Sequence, residues 1–240
     1  MLWTGVSQVA ADQLTPWLPG RPWVAVLPNA VEVAPRDRTP DRAVPEVVRL
    51  VSTMRITHRK RPLPLLRVFD AVRRSASVPV QLTVVGDGPL RSRFDRAVRL
   101  RGLGDAVTVT GRLDPADVLQ TLARSDVYVA PAILESFGLA ALEARCVGLP
   151  VVGHAASGMS EFVADGAEGW LCASDHDIVD RLRGLVDDPV LRRRISEHNR
   201  TVPSQATWEV TLERADAAYA LAPATIRAAH GSATDLVLGG

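Results

Sequence analysis

VYVAPAILESFGLAALE, residues 127–143, is the stretch that decides the fold. Val127 to Ala130 form a short apolar run of β-branched and aromatic side chains, the composition of a buried strand. A loop follows, and from Ser136 the spacing of apolar residues becomes that of a helix, expected over 136–147. A strand that is apolar on both faces and passes straight into a helix is half of a parallel unit covered on both sides. The same alternation runs outward in both directions. Strands are expected at 23–27 (WVAVL), 47–52 (VVRLVS), 80–85 (VQLTVV), 106–110 (AVTVT) and 150–152 (PVV), with helices at 63–76, 89–101 and 115–124. Asp114-Pro115 reads as a helix start, with Asp as N-cap and Pro in the first turn. The fold class is α/β, a doubly wound, Rossmann-like parallel sheet over 47–202. Residues 1–35 read as a helix, a strand and a Pro28-Asn29 turn, and 36–46 as a linker rich in proline and charge. A helix over 203–222 and a weakly patterned tail over 223–240 complete the chain.

The composition sets the outer limits. The chain has 240 residues, 47% hydrophobic and 23% charged, which is globular and excludes wholesale disorder. No apolar run approaches the roughly 18 residues of a membrane span. The first residues (MLWTGVSQVAADQ) lack a charged and then apolar leader, so a cytoplasmic location is expected. Cys146 and Cys172 are too few for a disulfide framework, and no Cys/His cluster has metal-ligand spacing, so no metal is expected.

The net charge of +1 hides an asymmetry: residues 36–112 carry 17 Lys+Arg against 7 Asp+Glu. A basic half suggests that an anion is handled there, although most of these arginines fit solvated helix faces. With aromatic residues at 5%, nucleic acid is not the expected anion. Of the 28 Lys+Arg, 27 are Arg, so Lys60 stands out as the one position that departs from the bias. An ammonium is a compact point charge and a guanidinium a planar fork, and at a phosphate the two are not interchangeable.

Three loops at strand ends carry candidate chemistry, because ligands of open α/β sheets bind at the carboxyl ends of strands. In Met54-Arg55-Ile56-Thr57-His58-Arg59-Lys60-Arg61, Arg55 and Lys60 can converge on one anion. Gly86-Asp87-Gly88-Pro89 permits a tight turn and close approach, but Arg91 breaks the dinucleotide fingerprint. In Glu135-Ser136-Phe137-Gly138-Leu139-Ala140-Ala141-Leu142-Glu143, Ser136 is the expected N-cap and the amides of Phe137, Gly138 and Leu139 an anion site. Glu143, eight residues after Glu135, would sit among core positions, which an ordinary first-turn acid does not.

The ordered set R-x4-K, G-D-G-P, T-G-R-L, E-S-F-G-L-A-A-L-E, G-L-P-V-V and S-G-M-S-E-F-V, running from Arg49 to Asn199, resembles the C-terminal half of a GT-B glycosyltransferase of the retaining family 4. The resemblance implies a nucleotide-diphosphate sugar as donor, with no metal or other cofactor. Arg55 and Lys60 match the pair that holds the diphosphate, and Glu135 matches the acid facing the donor sugar, with the Ser136 to Leu139 stretch beside it. Glu143 matches the residue on the ribose, and Gly111 and Arg112 match the loop that reads the nucleobase. Gly86 and Gly88 are carried over as donor-binding. Met54, Arg61 and Ser157 depart from the pattern at positions where glycine is common. Residues 1–35 resemble the end of an N-terminal domain, and the helix from Thr207 resembles the one that crosses back onto it. Trp208 and Tyr219 are therefore expected to be exposed.

The implied partners are the donor, an unidentified acceptor and a separate polypeptide supplying the rest of the N-terminal domain. A complete enzyme would be open to peripheral membrane contact. The competing readings are a non-catalytic nucleotide-binding or interaction module and a sugar-nucleotide epimerase of the same architecture. His58 reads as a spectator, His154 as a residue at the cleft edge, His176, His198 and His230 as surface, and Cys146 as core.

Overall fold

In the computed structural model, which describes residues 2–20, 23–32 and 47–234 and side chains as far as Leu221, the expected strands pair in parallel. β1 (Trp3–Gly5) and β2 (Val24–Val26) make a two-stranded sheet, with α1 (Gln8–Leu14) between them in sequence. The main sheet holds β3 (Val48–Thr53), β4 (Val80–Val85), β5 (Val107–Gly111), β6 (Val127–Ala130), β7 (Val151–His154) and β8 (Gly169–Cys172) in the order β5-β4-β3-β6-β7-β8. The helices are α2 (Pro62–Ser75), α3 (Arg91–Leu100), α4 (Pro115–Ala123), α5 (Leu139–Cys146), α6 (Asp175–Asp187), α7 (Pro189–Thr201) and α8 (Trp208–Thr234). The chain travels outward from β3 to β5, then returns to lay β6 against the free side of β3, with Leu50 opposite Val127 and Val51 opposite Tyr128. The carboxyl ends of β3 and β6 therefore flank the point where the winding reverses.

Both faces of the sheet are buried, as the near-continuous apolar strands require. Leu66, Phe69, Phe94, Leu182 and Ile195 cover one face and Leu122, Leu142, Met159 and Phe162 the other. Burying each such side chain contributes about 1.5–3 kcal/mol, so the two layers hold the sheet rather than any one contact.

Several expectations need correction. α5 opens at Leu139 with Gly138 as its cap at φ 99°, and no side chain caps it, so Ser136 is not the N-cap. Asp114 does cap α4 by position, but its side chain makes no capping bond. β1 and β8, of three and four residues, are strands beyond those expected. α8 continues as helical backbone to Thr234, beyond the 222 expected, along an alanine-rich run of high helix propensity. The expected linker 36–46 and residues 235–240 lie outside the described residues, as does the side chain of His230. Trp208 and Tyr219 are exposed, at 53% and 69%.

The small N-terminal unit has its own core of Ala11, Leu18 and Val24 and is tied to the main sheet's loops. Ser7 Oγ donates to the Ser136 carbonyl at 2.5 Å, and the Gln8 N–H donates to Glu161 Oε1 at 2.6 Å. Thr211 Oγ1 of α8 donates to the Pro28 carbonyl at 2.9 Å.

Candidate active site

A cavity of about 290 Å³ opens at the carboxyl ends of β3 and β6. Its walls come from the ends of both strands (Thr53, Met54, Ala130), from the loop and first turn 135–141, and from Val6 and Asn29 of the N-terminal unit. Lys60 lies on a 3₁₀ turn (His58–Lys60) after β3, and Glu135 on the loop after β6. Their side chains meet as an ion pair, Lys60 Nζ to Glu135 Oε2, each partly open to the cavity. A cation and an acid 75 positions apart are thus joined at the reversal point of the sheet.

The G-D-G-P loop explains why the basic loop is rigid. Ile56 N–H donates to the Asp87 carbonyl at 2.9 Å and Leu90 N–H to the Ile56 carbonyl at 3.0 Å. A Cβ at Gly86 (φ 129°) would lie 2.0 Å from the Met54 carbonyl oxygen, and one at Gly88 would lie 2.5 Å from that of Ile56. These glycines are required by backbone packed on backbone. Neither lines the cavity, so their place in the structure is to brace the loop that carries Arg55 and Lys60.

A second brace supports the acidic loop. A Cβ at Gly158 would lie 2.1 Å from the Ser136 carbonyl oxygen, and the Gly158 N–H donates to the Glu135 carbonyl at 2.8 Å. Phe137 is buried against Phe162, with ring centroids 5.3 Å apart, while Ser136 and Leu139 are exposed at the cavity rim. Because the helix begins at Leu139, its first-turn amides are those of Leu139, the last of the three expected from the sequence, and Ala140, one residue beyond them.

The other expected residues are dispersed. Arg55 is exposed and does not line the cavity. Gly111 (φ 76°) and the exposed Arg112 lie at the end of β5, two strands out from β3, where the Gly86 N–H donates to the Gly111 carbonyl at 2.8 Å. Glu143 is half-buried on α5, and burial pushes its carboxyl above the usual range. Cys146 is half-buried, and burial likewise raises its thiol.

One feature of the site was missed in the sequence. Tyr128 of β6 is buried in the cavity wall, its hydroxyl donating to the Thr53 carbonyl at 3.3 Å, and burial raises the phenol well above its ordinary value. His154 is buried at the end of β7 and does not line the cavity; it contacts Arg61 and Asp175 instead. Burial and the neighbouring Arg61 guanidinium lower its pKa. Among the described residues no group of His, Cys, Asp and Glu is arranged to hold a metal ion, and no helix is long and apolar enough to cross a membrane.

Comparison with known proteins gives the same picture at larger scale. A family model described as glycosyl transferases group 1 matches residues 37–202. The chain is 29% identical over 126 residues to the alpha-D-kanosaminyltransferase of Streptomyces kanamyceticus, covering 52% of this chain and 33% of that protein. It is 32% identical over 178 residues to the D-inositol 3-phosphate glycosyltransferase of Mycolicibacterium smegmatis, covering 70% of this chain and 40% of that one. Among solved structures, Anabaena HepE in complex with UDP and glucose superposes with a TM-score of 0.75 at 20% identity, over 90% of this chain and 62% of that one. The matched part of this chain therefore spans well under half the length of those two curated relatives.

Proposed function

The chain belongs to the glycosyl transferases group 1 family, and from that premise we propose that it binds the nucleotide-diphosphate part of a sugar donor at the β3/β6 edge and serves transfer of the sugar to an acceptor with retention of configuration. The observation that carries this reading is the Lys60–Glu135 ion pair in the cavity wall at the reversal point of the sheet. Transfer from a nucleotide sugar builds positive charge on the sugar ring and negative charge on the departing diphosphate. A fixed ammonium and first-turn amides aimed at the leaving oxygens stabilise the second, and a carboxylate beside the ring stabilises the first. In this reading donor phosphate replaces Glu135 as the partner of Lys60, which frees the carboxylate to face the sugar. Arg55, exposed on the same loop, supplies the second cation.

Glu143 is the acceptor for ribose hydroxyls in this reading. Gly111 and Arg112 present backbone to the base. Charge on the diphosphate is met by side chains and amides, with no metal. UDP is the first nucleotide to test, because the HepE structure contains it. Val6 and Asn29 of the N-terminal unit line the near side of the site, and in this reading that unit is the last part of a second domain that would bind the acceptor.

The test is calorimetric titration of the folded chain with UDP, GDP and ADP at low salt. One of the three is expected to bind with micromolar affinity. Lys60→Ala should weaken it about tenfold or more, the loss of a charge-assisted contact worth about 1.5–3 kcal/mol. A folded sample that binds none of the three overturns the reading.

A further inference from the structure

Arg61, which stands where the family pattern commonly has glycine, holds a backbone conformation that suits glycine. Among the described residues it is the non-glycine with positive φ, at φ 55° and ψ 48°, and this turn ends the 3₁₀ segment bearing Lys60 and opens α2. A left-handed conformation is costly for a residue with a Cβ, so something outside the backbone must hold it.

The side chain supplies the hold. Its guanidinium forks onto Asp175, Nη1 to Oδ1 at 2.8 Å and Nη2 to Oδ2 at 2.9 Å, the bidentate geometry that favours arginine over lysine. Nη1 also donates to the Pro131 carbonyl at 2.9 Å and lies 2.8 Å from His154 Nε2. His154 is 3% exposed, and its ring is hydrogen-bonded to the backbone of Cys172 as well, so it forms a fixed wall. One side chain thereby joins the loops after β3, β6 and β7 to the first turn of α6. Two of these matter to the site: Arg61 follows Lys60 directly, and Pro131 lies on the loop that carries Glu135 and lines the same cavity.

We propose that Arg61 is a positioning residue, anchored by Asp175, that fixes Lys60 and Glu135 opposite each other by gripping both loops at once. It touches no reacting atom; it sets the separation and direction of the two groups that do. The importance of this for catalysis rests on the reading of the cavity given above, but the positioning itself does not.

Lys60 is the single lysine of the chain, which makes the pair directly measurable. A carbodiimide converts a carboxyl to an O-acylisourea, which a touching lysine amine, once it has lost a proton, displaces to form the amide and release the urea, so the Lys60–Glu135 amide, mapped by peptide mass spectrometry, reports their alignment without any ligand. The variants are Arg61→Gly, which removes the fork and relieves the backbone, Arg61→Lys, which keeps the charge but cannot fork, and Asp175→Asn, which removes the anchor. Each should lower the yield of that amide by about fivefold or more, as expected when a contact pair loses its alignment. Arg61→Gly should melt within a few degrees of the parent. Unchanged yield in Arg61→Gly and Asp175→Asn would overturn the proposal, as would full recovery in Arg61→Lys or absence of the amide in the parent chain. If one variant fails to fold, the other attacks the same fork from its opposite end. A parent chain that gives the amide yet binds no nucleotide sinks the proposed function and leaves the positioning role standing.

Discussion

Glu143 shows at the scale of one residue how a site can oppose stability. Its carboxyl is half-buried on α5, and burial raises its pKa above that of the unfolded chain. The native state then binds more protons than the unfolded state between the two values, so stability falls as pH rises through that window. Glu143→Gln should therefore be more stable than the parent at pH 7 by an amount below about 1 kcal/mol, since the group is only half removed from solvent. The gain should vanish below the unfolded value of about 4.3. Urea titrations at pH 7 and pH 4 measure both ends. The same substitution should weaken nucleotide binding if Glu143 receives the ribose. Lys60 was legible in the sequence because it breaks a compositional bias. Arg61 was legible only as a missing glycine, because its partner Asp175 lies 114 positions away and a positive φ leaves no mark on composition.

Among the elements, α5 departs most from its expected form. The sequence places its start at Ser136, whereas the chain between Glu135 and Gly138 is held as a loop by Gly158 beneath it and Ser7 beside it. Those contacts pull the helix start to Gly138, whose φ of 99° suits glycine. At its other end α5 is fixed by Arg145, which is 1% exposed. Arg145 pairs with Glu168 before β8 and donates from Nη1 to the Val202 carbonyl at 2.7 Å, at the end of α7. Arg145→Ala would leave Glu168 without its cation and that carbonyl without its donor. The expected cost is about 3–5 kcal/mol, a fall in melting temperature on the order of 10 °C, read by calorimetry. Removing both charges, as Arg145→Met with Glu168→Gln, should cost less than Arg145→Ala alone. In the sequence Arg145 reads as one more arginine on a helix, and only packing shows that it is interior.

On the scale of the whole molecule, the N-terminal unit has a core of its own and meets the main sheet's core through Val6, Val31 and a few hydrogen bonds. Ser7 is fully buried and acts twice: its Oγ accepts from the Ala10 N–H as the cap of α1 and donates to the Ser136 carbonyl. Ser7→Ala should destabilise the unit by about 1–2 kcal/mol, the worth of a lost cap plus an unpaired carbonyl. Hydrogen exchange should locate the loss. Amides of α1 should exchange several-fold faster, while those of β3 and β4 keep the protection of the parent, because a unit with a small core opens before the large one does. Uniform loss of protection would mean that the two cores unfold together. Among the described residues, the exposed Trp17, Trp23, Trp208 and Tyr219 belong to this unit or to α8.

By itself the sequence determined the fold class, because strands apolar on both faces alternate with helices and leave no other way to bury both sides. It also marked the candidate loops, since strand-end cations, acids and glycines are local features. Only the tertiary structure decided which of those loops face each other. The return of the chain from β5 to the free side of β3 sets β6 beside β3, and from that crossover follow the Lys60–Glu135 pair and the grip of Arg61 on Pro131, while the bracing by Gly86 and Gly88 follows from the pairing of β4 with β3. Strand order is fixed by long-range burial and by the hand of the crossovers, neither of which is written in any one stretch of residues.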